Sequence, residues 1–338
     1  MIGGKGQGAS MLKILAALAS WRLVLLLTAF AATPAWAQDW KPTKPIEVIV
    51  GTPPGGPLDR TARLIASLLE KKSLGVPATV QNKPGGGHAI AMTYLNQRGD
   101  GHALSMALTN LITNRIIGSH PLTYTDITPL ALLTSEYIGM SVKADSPVKD
   151  GKDLIARLRA NPEALTFAIT NRASGNHIAA GAVLKAAGVD LKRVKFVSFK
   201  GSAETTLAVL GGHVDVAMAT PTSTWKHVQA GTMRMLAVSS PRRLGGDFAV
   251  VPMWMELGIN AVSSNWRSVV GPKGLPAAQV AWWDATLAAM VKSPEWQEAV
   301  RKNQWEDEYL NSRDTLKFFQ EEYRHLEALL TELGDARK

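Results

Sequence analysis

An α/β protein whose sheets are mostly parallel and flanked by helices is what this 338-residue sequence predicts. Three observations carry the prediction. A short β-branched run, a loop of glycine or small polar residues and a helical stretch recur six times. The six repeats fall into two groups of three. The chain after Pro276 reads as helix, with apolar residues at helical spacing. Strands alternating with helices imply mostly parallel sheets with right-handed crossovers.

The N-terminus comes first. Lys5 and Lys13 precede an apolar stretch from Leu23 to Ala32, and Thr33, Pro34 and Ala35-Trp36-Ala37 follow it. A basic head, a short apolar core and an A-x-A end read as a secretory signal peptide over residues 1–37. A membrane span needs about 20 apolar residues, and this run is about half as long. Cleavage after Ala37 leaves 301 residues with a formal charge of +6. Met11 is an alternative start.

The first group of repeats runs Ile46–Val50 into Gly51-Thr52-Pro53-Pro54-Gly55-Gly56 and a helix from Pro57 to Lys72. Next comes Ala78–Gln81 into Lys83-Pro84-Gly85-Gly86-Gly87 and a helix through Gln97. Ala103–Leu108 into Thr109-Asn110 and a further helix completes it. Pro57 suits a first helical turn, where its missing N–H has no intrahelical partner to lose. Two β-rich runs, Pro129–Thr134 and Tyr137–Val142, precede the second group. That group comprises Thr166–Thr170 into Asn171-Arg172-Ala173-Ser174-Gly175-Asn176, Lys195–Phe199 into Lys200-Gly201-Ser202, and Val214–Ala219 into Thr220-Pro221-Thr222-Ser223. Met233–Ser239 is a further strand. Ala277–Val291, Pro294–Asn303 and Arg313–Leu333 read as helices, whose Trp282, Trp283, Trp296 and Trp305 suit a core more than a pocket.

Composition removes several functions. The chain has no cysteine, which excludes a disulfide framework, a thiolate zinc site and a cysteine nucleophile. Positive charge is scattered in doublets such as Lys71-Lys72 and Arg242-Arg243, without the concentrated stripe of a nucleic-acid binder. The seven histidines have no metal-ligand spacing. Neither a G-x-S-x-G elbow nor a phosphate-binding G-x-x-x-x-G-K-[ST] loop occurs. No cofactor is implied.

What the loops share is chemistry suited to an anion. In open α/β sheets, ligands bind beyond the carboxyl ends of the strands. Here those ends lead into helix starts, whose unpaired N–H groups carry partial positive charge. Arg172 sits between a strand and a helix, where a guanidinium can grip a carboxylate or simply face solvent. Asp59 suits fixing of the first glycine loop, with contact to a ligand cation as the alternative. His177 either lines the cleft or is structural.

The motifs taken together resemble the Bug family, the periplasmic solute receptors of tripartite tricarboxylate transporters. Val50-Gly51-Thr52-Pro53-Pro54-Gly55-Gly56-Pro57-Leu58-Asp59-Arg60-Thr61-Ala62-Arg63 is similar to the family opening V-x-x-P-P-G-G-x-x-D-x-x-A-R. Val80–Gly87 resembles V-x-N-[KR]-P-G-[AG]-G. Ser174–Ala179, Phe199–Ala203, Gly211–Asp215, Leu236–Ser240 and Trp266 follow in family order. His102, Gly86 and His88 depart from the family's usual tyrosine, alanine and asparagine, and Arg172 matches no general family feature.

The resemblance implies a two-lobed, Venus-flytrap fold of type II. Residues 38–139 and 265–338 would form lobe one and residues 140–264 lobe two, with crossover strands near Tyr137–Val142 and Ser264–Val270. It implies a cleft for a small organic carboxylate, and a membrane transporter as partner. Carried onto this chain, the ligand-binding set is Thr52, Gly55, Gly56, Asp59, Gly86, Gly87 and Thr109 from lobe one. Thr170, Ser174, Lys200 and Gly201 come from lobe two. His88 and Arg172 join the set as candidates for reading a different head group. The protein would be a periplasmic monomer and not a lipoprotein, since no cysteine is there to carry the lipid. It would bind no nucleic acid and catalyse nothing. A secreted hydrolase with an unrecognised site, or a ligand sensor for a signalling partner, are the competing readings.

Overall fold

A computed structural model describes residues 40–71, 75–199 and 201–337, with Lys41–Lys338 packing as one unit. Residues 1–37, read above as a signal peptide, and Lys200 lie outside the described residues. The first group of repeats folds as β1 (Ile46–Val50), α1 (Pro57–Leu69), β2 (Ala78–Asn82), α2 (Ala89–Arg98), β3 (Ala103–Ala107) and α3 (Asn110–Ile116). Pro57 opens α1, and Leu58, Ala62, Ile65 and Leu69 make its buried face at helical spacing. Strands β4 (Ile127–Tyr137) and β5 (Gly139–Lys143) and helix α4 (Gly151–Ala160) follow. The second group gives β6 (Thr166–Ile169), α5 (Gly175–Ala186), β7 (Lys195–Ser198), α6 (Ser202–Leu210), β8 (Val216–Ala219) and α7 (Pro221–Gln229). The rest comprises β9 (Met233–Val238), β10 (Ser264–Pro272), α8 (Ala277–Val291), α9 (Pro294–Asn303), β11 (Glu306–Leu310) and α10 (Ser312–Glu332).

Two sheets result, ordered β11-β4-β10-β3-β1-β2 and β7-β6-β8-β5-β9. Each group of repeats builds the parallel part of one sheet: β2-β1-β3 in the first, β7-β6-β8 in the second. The remaining pairings are antiparallel, so both sheets are mixed and the expected parallel bias holds only for the repeats. Apart from β11, the antiparallel pairings involve the strands that run between the sheets or return from them, and these need no crossover helix.

Two elements depart from the sequence reading. β11 interrupts a C-terminal region read as purely helical. Its Glu-Asp-Glu stretch has little intrinsic strand preference, and pairing with the distant β4 imposes the extended form. Helix α4 arises in what read as a connecting region. Asp150 caps it by accepting the Asp153 N–H, and Leu154, Ile155 and Leu158 are buried. Among the tryptophans, Trp283 and Trp296 are wholly buried and Trp305 nearly so, whereas Trp282 is half-buried.

The passage from one sheet to the other takes a single residue, Ile138, between β4 and β5. Beside it the chain returns at Ser239 and Ser263. The Ser239 hydroxyl donates to the Ser263 carbonyl (2.7 Å) and accepts the Ile138 N–H (3.1 Å). Backbone bonds join Ser239 N–H to Ile138 O and Ser263 N–H to Ser239 O. One apolar core runs through this junction from Ile49 and Leu95 to Phe167 and Val183. Helix α10 contributes to it along its length: Thr315 Oγ1 accepts the Leu132 N–H of β4, and Leu333 packs on Gly181 of α5.

Candidate functional site

Strand register places the site. In the six-stranded sheet β4 and β10 are antiparallel, with Tyr137 opposite Ser264, and β10 is antiparallel to β3. The carboxyl ends of β1, β2 and β3 therefore lie on the same edge as the junction. In the five-stranded sheet Gly139, the first residue of β5, is paired with Ala219 and Val238, the last residues of β8 and β9. The carboxyl ends of β6, β7 and β8 also lie on the junction edge. Both sheets thus turn their ligand-competent edges toward the same side of the joint.

At the first edge, the Gly51–Gly56 loop is built on Asp59. This wholly buried carboxylate accepts the Gly55 N–H (2.8 Å), the Arg63 guanidinium (2.9 Å) and the Asn82 amide (2.9 Å). The Arg63 hydrogen bond, helped by those of Gly55 and Asn82, holds its pKa down at about 2. The Asn82 amide also donates to Thr52 O, tying β2 to the loop. Gly55 needs its glycine, since its φ is +82°. Asp59 is thus engaged by its own chain on both oxygens, consistent with loop fixing.

His88 rests directly on Gly51: a Cβ there would meet the imidazole at 2.6–2.8 Å. Burial pushes the His88 pKa down to about 4, so its ring is neutral at neutral pH. Gly86 and Gly87 have their carbonyls bound by the Asn114 amide. Three buried side-chain atoms on these loops have no hydrogen-bond partner: Thr52 Oγ1, His88 Nδ1 and Thr109 Oγ1.

At the second edge, Thr170 Oγ1 donates to Asn176 Oδ1 (3.3 Å). Ser174 caps α5, its hydroxyl donating to Asn171 O (2.7 Å) and accepting the His177 N–H. Arg172 is ion-paired with Asp335, beyond the end of α10, and so is not a free guanidinium awaiting a ligand. Buried His177 accepts the Ala173 N–H at Nδ1 (3.0 Å) and lies edge-on to Phe196. Burial lowers its pKa to about 4. Gly201 precedes α6 with open space where a Cβ would stand. His102 lies at the other end of β3, its Nε2 accepting the Thr43 N–H, so it is remote from this edge.

The helix starts are the shared feature. Six helices begin at these edges, and only Ser174 caps its helix through a side chain. Gly56, His88, Thr109, Gly201 and Thr220 make no side-chain cap bond. Part of each first turn is taken up locally: α1 and α7 open on prolines, and the Ala89, Leu111, Ile112 and Ser223 N–H groups bond the carbonyls of Gly86, Leu108, Thr109 and Thr220. The uncapped starts of α1 and α6 leave the most N–H groups for an outside acceptor. Among the described residues, nearby cations are engaged: Arg63 with Asp59, Arg172 with Asp335, and buried Arg267 with Glu136 (2.6 Å). Positive potential at the edge therefore comes from oriented peptide groups together with the Arg60 guanidinium, which donates to Gly55 O (2.7 Å). A hollow of about 910 Å³ between Arg115–Pro121 and α10 is lined by none of the loop residues named above.

Comparison with known proteins decides what the architecture belongs to. The family described as "Tripartite tricarboxylate transporter family receptor" matches residues 61–335. The chain belongs to that family. It is 30% identical over 312 residues to the UPF0065 protein in the gbd 5′ region of Cupriavidus necator, covering 91% of this chain and 93% of that one. It is 29% identical over 265 residues to BugT of Bordetella pertussis, covering 74% and 77%. The structure of R. palustris Rpa4515 with adipate superposes with a TM-score of 0.75 at 26% identity, covering 88% of this chain and 99% of that one. The two sheets with their helices are accordingly the two lobes of a periplasmic binding-protein fold, and the chain is a solute-binding receptor of the Bug type. Among the described residues no helix is long and apolar enough to cross a membrane.

Proposed function

We propose that this receptor captures an aliphatic dicarboxylate between its lobes and delivers it, by closure about the Ile138–Ser239–Ser263 junction, to a membrane transporter. Residues 38–139 and 265–338 form one lobe and 140–264 the other; residues 1–37 are the export signal, leaving a free periplasmic protein. The observation that carries the reading is the set of helix starts without side-chain caps on two edges flanking one junction. A carboxylate is the acceptor such N–H groups suit. One carboxylate meets the Gly55–Gly56 and Gly86–Gly87 loops with the Thr52 and Thr109 hydroxyls, partly through ordered water. The other meets Thr170 and the α5 and α6 starts, with Gly201 giving the backbone close access. Arg172 and Asp59 act on loop geometry. The adipate bound by the Rpa4515 relative supports the choice of ligand class.

Thermal shift across C4 to C8 dicarboxylates, matching monocarboxylates and acidic amino acids tests the reading. A ligand at 100 times its Kd stabilises by about 2.7 kcal/mol. The reading expects that gain for a dicarboxylate, with the ligand recovered chemically intact. No shift with any carboxylate, or recovery of a product, overturns it.

A further inference from the structure

We propose that Asp335 is a positioning residue for ligand binding: from the segment after α10 it holds the Thr170–Ser174 loop of the opposite lobe in its ligand-meeting form. This rests on the assignment of that loop to the site made above.

The loop is not at rest by itself. Ala173 has φ +59°, a left-handed conformation uncommon for a residue with a Cβ. Its N–H donates to His177 Nδ1, one turn into α5, which holds the conformation from within. Asn171 and Arg172, on the outer side of the turn, are exposed. On that side Ser174 bonds Asn171 O from within the loop, and the Arg172–Asp335 ion pair is the hold that comes from the other lobe.

Asp335 is well placed to provide it. Its side chain is only 6% exposed, while that of Arg172 is 62% exposed, so the carboxylate is the fixed partner and the arginine comes to it. The Asp335 N–H donates to Leu330 O (2.9 Å), and the Arg337 N–H donates to Ile116 O of α3 (3.0 Å). The segment is thereby tied to the six-stranded lobe at both ends. Asp335 Oδ2 has no hydrogen-bond partner and lies 3.5 Å from His177 Nδ1, so the same carboxylate abuts both holders of the turn. Lys185–Glu332 (2.6 Å) and the Leu333–Gly181 packing fix the neighbouring turn of α10 on α5. The cross-lobe contact thus ends on Arg172 and His177, the two residues that flank and hold Ala173.

The test uses calorimetric titration of the full mature protein with adipate, and hydrogen–deuterium exchange of the ligand-free protein. Arg172→Ala and Asp335→Asn should each weaken adipate binding about tenfold, and the double variant should be no weaker than either single. Both singles should speed exchange in residues 173–177 while leaving the global unfolding midpoint nearly unchanged. Asp335→Glu, which keeps the charge, should recover part of the affinity. Wild-type affinity and exchange in the singles, or losses that multiply in the double, overturn the proposal. If the wild-type protein itself fails to bind adipate, the site reading has failed at that ligand. The exchange measurement then decides the positioning role alone.

Discussion

The two lobes hold the loops at their junction edges by opposite means. In the six-stranded lobe the Gly51–Gly56 loop is anchored by Asp59, four residues along the chain, with Arg63 and Asn82 from the same βα units. In the five-stranded lobe the Thr170–Ser174 loop meets a carboxylate 163 residues away, brought by the other lobe. The first anchor is local and buried, so it survives any movement between lobes. The second exists only while α10 lies against α5. A receptor built this way has one fixed jaw and one whose shape depends on how the lobes are set.

The sharpest break of that contrast is Asp59→Ala. It strands the Gly55 N–H and the Asn82 amide beside a lost charged acceptor and should cost about 3 kcal/mol in urea denaturation. A loss below about 1 kcal/mol would mean that the first jaw is not locally anchored. Acidification is expected next. His88 and His177 are held near 4, below their ordinary 6.5, so unfolding takes up protons. Their contribution is complete above about pH 6.5 and is lost as pH falls toward 4; Asp59, held near 2 against 3.8, gives way only below that. A melting temperature flat from pH 7 to 4.5 would contradict both buried imidazoles.

Gly51→Ala comes third. Its new Cβ collides with the His88 ring and should cost roughly 1–3 kcal/mol, most of it recovered when His88→Ala is added. Additive losses would show that the contact is not the cause. The smallest effect is expected at a second cross-lobe ion pair remote from the loop, Arg242–Glu306, where the arginine is 71% exposed. Arg242→Ala should change stability by less than about 1 kcal/mol, with any effect fading in high salt. Equality with Arg172→Ala in ligand affinity would mean that lobe contact in general, and not Asp335, sets the second jaw.

What could be read ahead of the structure follows the range of the forces involved. The six βα units were legible because alternation of β-branched runs, glycine loops and helical spacing is local; α8 and α9 fall on the expected residues for the same reason. The mixed character of both sheets was not, because β5 and β10 reveal their direction only through partners in other parts of the chain. β11 was hidden by its acids, and α4 by its shortness, though the Asp150 cap with Leu154, Ile155 and Leu158 was a signal that could have found it. At the site, the loops were legible and the state of their side chains was not. Nothing near Arg172 in sequence announces Asp335. Nothing at His88 announces that its ring lies on Gly51.

One hydroxyl deserves its mechanical due. Ser239 donates to one crossover and accepts from the other, so neither strand can flex without pulling on its neighbour. Two independent straps would permit sliding, splaying and twisting; two straps pinned together leave chiefly rotation about a common axis. Under the proposed function, occupancy of the cleft would be converted into a single angle, which a membrane partner could read without touching the ligand.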